Sequence, residues 1–161
     1  MLIKARILFV GVIFFIVKPT MLVLFFLQGF KSRSIGKCSF YGSVQFLDRC
    51  EVALRQLHEM DEDIFLKITG VQSLTFYHNS RSFDNSANNF YSVSDEFLRW
   101  DERGIITRIV YASLMSDLIG KTIFSNKTDC VKLHGIFHGK LGEWLKTNNF
   151  PQEIVKAYLA N

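Results

Sequence analysis

The stretch from Ile105 to Phe124 (IITRIVYASLMSDLIGKTIF) constrains the fold of this chain more than any other. Ile105, Ile109, Ala112, Met115 and Ile119 recur at three- and four-residue intervals, which draws one stripe along a helix. Ile106, Val110, Leu114 and Leu118 draw a second, about 100° around from the first. A helix that is apolar round most of its circumference belongs inside a domain, with other elements packed against it. Near its C-terminal end it carries an acid, Asp117, within Ser116-Asp117-Leu118-Ile119-Gly120.

The 161 residues are enough for one domain with a core of its own, plus a tail. A net charge of +4 invites a nucleic-acid partner, and the distribution removes it. Residues 1–37 hold six basic side chains and no acid, whereas residues 38–161 hold thirteen basic and fifteen acidic ones. The globular part is therefore slightly acidic, with no basic stripe interleaved with aromatics, and no nucleic acid is expected as a partner. Cys38, Cys50 and Cys130 form no zinc-type Cys-x-x-Cys pair. Cys38 and Cys50 would bridge only in an oxidising compartment; otherwise all three are reduced thiols.

Ile7–Val17 is unbroken apolar, Lys18-Pro19-Thr20 interrupts, and Met21–Phe30 is apolar again. Residues 7–30 as a helix would measure about 36 Å, long enough to span a bilayer. A central lysine costs about 2.5–3.5 kcal/mol on an insertion scale, against roughly −5 to −10 kcal/mol from the Leu, Ile, Phe and Val residues. Pro19 would kink such a helix without preventing it. Residues 1–34 are therefore expected to be a membrane anchor engaging the lipid bilayer through residues 7–30, with one globular domain over 35–161. The alternative is a cleaved signal peptide, with Ser32-Arg33-Ser34 as the processing site. Basic residues flank the stretch on both sides, so charge does not orient it.

Within the domain, Val44, Leu47, Leu54 and Leu57 predict a helix over 43–59 capped by Ser43. Asp61 is placed to cap a short helix over Glu62–Thr69 that ends at Gly70. The acids at 59–63 lack the spaced oxygens and central glycine of a calcium loop. Val71–His78 and Phe90–Val93 are strand-like, Phe97–Trp100 could be a third strand, and Gly104 is a break. After the central helix, the pattern returns to helix beyond Asn126, and Pro151 suits the first turn of a last helix. The fold class expected is α+β: a helical domain with a small antiparallel β-hairpin or meander, a central apolar helix and an N-terminal transmembrane helix.

His134 and His138 stand four apart on one helical face, a spacing that can bring two imidazoles to one zinc. Catalytic zinc also needs a third ligand and a base; Asp129 and Glu143 are near in sequence, but Glu143 lies about 140° around the helix from His138. Surface or packed histidines are the plainer account. Glycine-rich phosphate loops and Gly-x-Ser-x-Gly elbows are absent, and the adjacent Ser116 and Asp117 point apart on a helix.

The order of elements resembles small zincin-like metallopeptidase domains, in which a central helix carries His-Glu-x-x-His and the next helix supplies a third ligand. The likeness spans residues 43–160 and rests on element order and hydrophobic pattern. It implies that Asp117 stands where the glutamate base would stand, with Ser116 and Gly120 in the histidine slots and Asp129 at the third-ligand position. Serine is a poor zinc ligand and glycine offers no side chain, so the resemblance implies a relative without its metal, in which Asp117 is a vestigial acid.

Taken together, these features lead to the expectation of a membrane-anchored, non-catalytic binding or accessory module with no cofactor. A peptide or protein partner would add a strand at an edge formed by Val71–His78, through Leu74 and Phe76, or by Phe90–Val93. Two alternatives stand beside it: a zinc-dependent hydrolase using His134, His138 and Asp129, and a structural membrane protein that assembles with a partner.

Overall fold

The computed structural model describes residues 20–84, 86–122 and 127–159, without the side chains of residues 87, 119–122, 127–134 and 157–159. Residues 1–19, which hold most of the expected anchor, lie outside it. Among the described residues no helix is long and apolar enough to cross a membrane.

The described chain opens with a short helix over residues 20–27 (α1), followed by β1 (Lys31–Ile35) and β2 (Cys38–Gly42). Next come α2 (Val44–Met60), α3 (Glu62–Leu66) and a π-helical turn at Lys67–Val71. Strand β3 (Thr75–Asn79) and a 3-10 turn (Ser86–Asn88) lead to β4 (Phe90–Ser94). Four helical elements close the chain: α4 (Asp95–Leu98), α5 (Asp101–Thr122), α6 (Lys127–Thr147) and α7 (Gln152–Leu159).

The four strands form one sheet in the order β1-β2-β3-β4. Only β1 and β2 are antiparallel; β2–β3 and β3–β4 are parallel. The expected hairpin or meander of Val71–His78, Phe90–Val93 and Phe97–Trp100 is therefore corrected. Its first two segments pair in parallel, and Phe97 and Leu98 are helical because Asp95 and Glu96 form an acidic first turn behind Ser94. The hairpin in the structure is instead Lys31–Gly42, and all but the last residue of its first strand lies within the segment ascribed to the anchor. Gly36 makes it possible: its φ of +57° suits a tight two-residue turn, and a Cβ there would lie 2.1 Å from the Thr69 carbonyl oxygen. The Lys37 N–H donates to that same oxygen at 2.7 Å, pinning the hairpin to the π-helical turn.

Three aromatic pairs explain how the sheet is covered: Phe40-Tyr41, Phe76-Tyr77 and Phe90-Tyr91. Successive strand residues face opposite sides, so each pair places one ring on each face. Phe40, Phe76 and Tyr91 join the main core with Leu54 and Leu57 of α2 and Ile105, Ile106 and Ile109 of α5. Tyr41, Tyr77 and Phe90 meet Phe25 of α1 on the other face. The sheet is thus the middle of three layers.

Helix α2 begins where Ser43 Oγ accepts from the Phe46 N–H at 3.2 Å. Asp61 caps α3 through Oδ1, which accepts from the Ile64 N–H at 3.0 Å, and its Oδ2 accepts from Trp144 Nε1 at 2.7 Å. That carboxylate joins α6 to the corner between α2 and α3. Gly104 is no break: it lies inside α5, where any Cβ would meet the Phe97 carbonyl oxygen at 1.8 Å. Cys38 and Cys50 are free thiols buried in the core, Cys38 Sγ facing the Ile68 carbonyl at 3.5 Å.

Candidate functional site

Central helix α5 carries the expected acid and a second charged residue that the hydrophobic pattern conceals. Asp117 lies in the last turns of α5 opposite the π-helical turn. Its Oδ2 accepts from Lys67 Nζ, and its Oδ1 accepts from Gln72 Nε2 at 3.1 Å. The same Gln72 amide also donates to the Ser113 carbonyl at 3.0 Å, while its buried Oε1 has no hydrogen-bond partner among the described residues. Both carboxylate oxygens of Asp117 are thereby oriented toward the π-helical turn. The side chains of Lys67 and Asp117 are 37% and 40% exposed, so solvent screens this pair.

Among the residues suggested as zinc ligands, His138 alone has a described side chain, half-buried on α6 with its ring edge-on to Phe137. The side chains of Asp129 and His134 lie outside the described residues. Among the described residues, no three His, Cys, Asp or Glu side chains are grouped closely enough to hold a metal ion.

Leu74 and Phe76, suggested for peptide capture, are fully buried. Val71–His78 is not an edge, because β3 runs between β2 and β4 and the Leu74 carbonyl already accepts from the Ser39 N–H at 2.9 Å. Strand β4 does end the sheet, yet its outer side is occupied. The Ser92 N–H donates to Asp84 Oδ1 at 3.0 Å, and the Ser92 carbonyl accepts from Arg108 Nε at 2.9 Å. A side-chain pair thus fills the place of a neighbouring strand, one of the ways proteins blunt an edge.

That pair is the strongest electrostatic feature described. Arg108 Nη2 donates to Asp84 Oδ1 at 2.5 Å and to Oδ2 at 2.7 Å. The Arg108 side chain is 4% exposed and Asp84 21%. The guanidinium carbon sits 4.8 Å from the Phe97 ring centre and 4.7 Å from that of Tyr111. Three tyrosines surround the pair. Burial pushes the Tyr77 hydroxyl up to about 12, with the Asp84 charge adding to the shift and Arg108 opposing it. Burial likewise raises Tyr91 and Tyr111. These shifts keep the phenols neutral, and with the carboxylate committed to Arg108 the cluster acts as a clamp between the β3–β4 loop and α5.

A groove of about 410 Å³ opens on the opposite face of the sheet, between α1 and the end of β3. Met21, Leu24, Phe25 and Phe30 line one side, with Tyr77, His78, Ser80 and Phe83 on the other. Phe25 is 4% exposed and wedged among Tyr41, Tyr77 and Phe90, with ring centres 5.0, 4.9 and 6.4 Å away. The rest of α1 is turned outward: Val23, Leu24 and Leu27 are exposed, and Phe26 is 81% exposed.

No protein-family model, curated protein or solved structure matches the chain.

Sequence reasoning passed over Arg108 and Asp84. The signal was present: a lone arginine between Ile106 and Ile109 on a helix apolar on nearly every side has to be buried beside a counter-charge. The identity of that counter-charge was not readable, since Asp84, although the one acid in the polar loop 79–89, lies 24 residues before Arg108 and no local spacing links the two.

Proposed function

We propose that the chain is a membrane-tethered binding domain, a zincin-like scaffold that works without zinc, with residues 7–30 engaging the bilayer. The observation that carries this reading is the surface of α1. Phe25 locks the helix onto the sheet, yet Val23, Leu24, Phe26 and Leu27 are left bare. A contiguous apolar face of this kind marks a surface that meets another apolar phase. The segment also continues, after Lys18-Pro19, from the uninterrupted apolar run Ile7–Val17.

Binding is favoured over catalysis by the state of the central acid. Asp117 is engaged by Lys67 and Gln72, and the positions where imidazoles would stand hold Ser116 and Gly120. A peptide partner would add to the sheet at the outer side of β1, since β3 is interior and β4 is blocked by Asp84 and Arg108.

Alkaline carbonate extraction of membranes from cells producing the full chain tests the tether. The chain is expected to stay in the membrane pellet with integral proteins. Release into the supernatant would overturn this reading.

A further inference from the structure

We infer that the domain lies against the bilayer it is tethered to, with α1 and Phe83 seated in the interface and Lys31 and Arg81 set against anionic head groups. This rests on the membrane-tethered reading above and adds the orientation of the domain and the lipid chemistry it meets. Two apolar prominences stand on opposite walls of the same groove. One is the bare side of α1, and the other is Phe83, which is 57% exposed.

Phe83 is held out rather than left loose. Its N–H donates to Ser92 Oγ at 2.7 Å, and its carbonyl accepts from the Tyr77 hydroxyl at 2.5 Å. Both backbone groups are thus fixed by the sheet while the ring faces outward. Bonds that fix a backbone this way give the ring a defined place, which suits contact with an apolar phase.

The occupant follows from where the chain leads and from charge. The apolar run Ile7–Val17 ends only a few residues before α1, so anything holding that run holds the bare side of α1 beside it. Between α1 and β1 lie only residues 28–30, and the Phe30 N–H donates back to the Phe25 carbonyl at 3.0 Å. A connection this short gives the domain little freedom to swing away. Lys31 follows the groove-lining Phe30, and Arg81 lies between the groove-lining Ser80 and Phe83; both are exposed. Residues 1–37 contain no acid, and the nearby Asp84 is paired with Arg108. Exposed cations around an apolar seat are complementary to an anionic lipid surface.

The test uses the full chain carrying Phe83→Trp, reconstituted in a roughly two-to-one mixture of brominated phosphatidylcholine and phosphatidylserine. Trp100 and Trp144 supply the background, measured on the unsubstituted chain. The emission added by the new tryptophan is expected to be quenched by the lipid bromines, and Phe26→Trp should report the same from the helix side. Arg81→Glu, or vesicles of phosphatidylcholine alone, should remove most of the quenching at position 83. Unquenched emission from a chain that still floats with the vesicles would overturn the inference, leaving the tether intact and pointing to a second copy or another protein on this face. Quenching that persists in Arg81→Glu and without phosphatidylserine would overturn the head-group assignment. If the unsubstituted chain does not float at all, the tether fails and the inference with it.

Discussion

Replacing Asp84 with alanine should destabilise the fold by about 3–5 kcal/mol, the range seen when one partner of a buried ion pair is removed. The magnitude follows from what remains. Arg108 is 4% exposed and enclosed by Phe97 and Tyr111, so water cannot replace the lost carboxylate around its guanidinium. The Ser92 N–H loses its acceptor at the same time, which falls within that range rather than adding freely to it. Arg108→Met is the milder change, at about 1–3 kcal/mol, because it removes the charge and keeps most of the volume. The Asp84 it leaves behind is one-fifth exposed and still accepts from Ser92. The double variant should therefore be more stable than Asp84→Ala alone. Guanidinium unfolding of the whole chain in mild detergent, followed by tryptophan emission, reads all three. An Asp84→Ala loss below about 1 kcal/mol, or a double variant no better than Asp84→Ala, would refute mutual neutralisation as the basis of the clamp.

The cysteines give a pH-dependent prediction. Burial raises the Cys38 thiol to about 12 from its ordinary 9.0 and raises Cys50 as well, and Tyr77 is raised to about 12 from 10.0. Each group is neutral when protonated and holds its proton more tightly in the fold, so the stability this confers is complete below the unfolded values and is lost as pH climbs through the folded ones. Equilibrium stability should accordingly fall from about pH 9 toward pH 12, and iodoacetamide near pH 8 should label Cys38 and Cys50 only after unfolding, as read by mass spectrometry. Rapid labelling of Cys38 or Cys50 in the native chain would contradict the burial. Asp117→Asn should change stability by no more than about 1 kcal/mol, since its pair with Lys67 is substantially solvated. Elemental analysis of the chain, purified without metal-affinity resin, should find no stoichiometric zinc; one zinc per chain, lost in His134→Ala, would revive the hydrolase alternative.

Helices were the legible part of this fold, because their apolar spacing is local. The Ser43 cap, the Asp61 cap and the central helix stand within a few residues of where periodicity places them. The sheet was harder. Lys31–Ile35 reads KSRSI, a polar strand whose pairing comes from the Gly36 turn and from β2, and an apolar neighbour on its N-terminal side masks it. The parallel pairing of β3 with β4 leaves no local mark either, because both strands are buried on two faces and no polar alternation shows which side is outward. At the candidate site, Asp117 stood out because it interrupts an apolar helix. Its partners Lys67 and Gln72 lie about fifty residues away and could not be read from spacing.

The two sides of the sheet are not equivalent, and this limits how copies of the chain can associate. One terminal strand is sealed by its own arginine and aspartate, so a new strand can join only beside β1. Two copies meeting edge to edge would have to use that same edge on both sides, which closes the contact about a two-fold axis and leaves no free edge to continue. Association through the sheet edges would therefore stop at a pair, and a filament growing by strand-to-strand addition is disfavoured for as long as Asp84 and Arg108 hold their places.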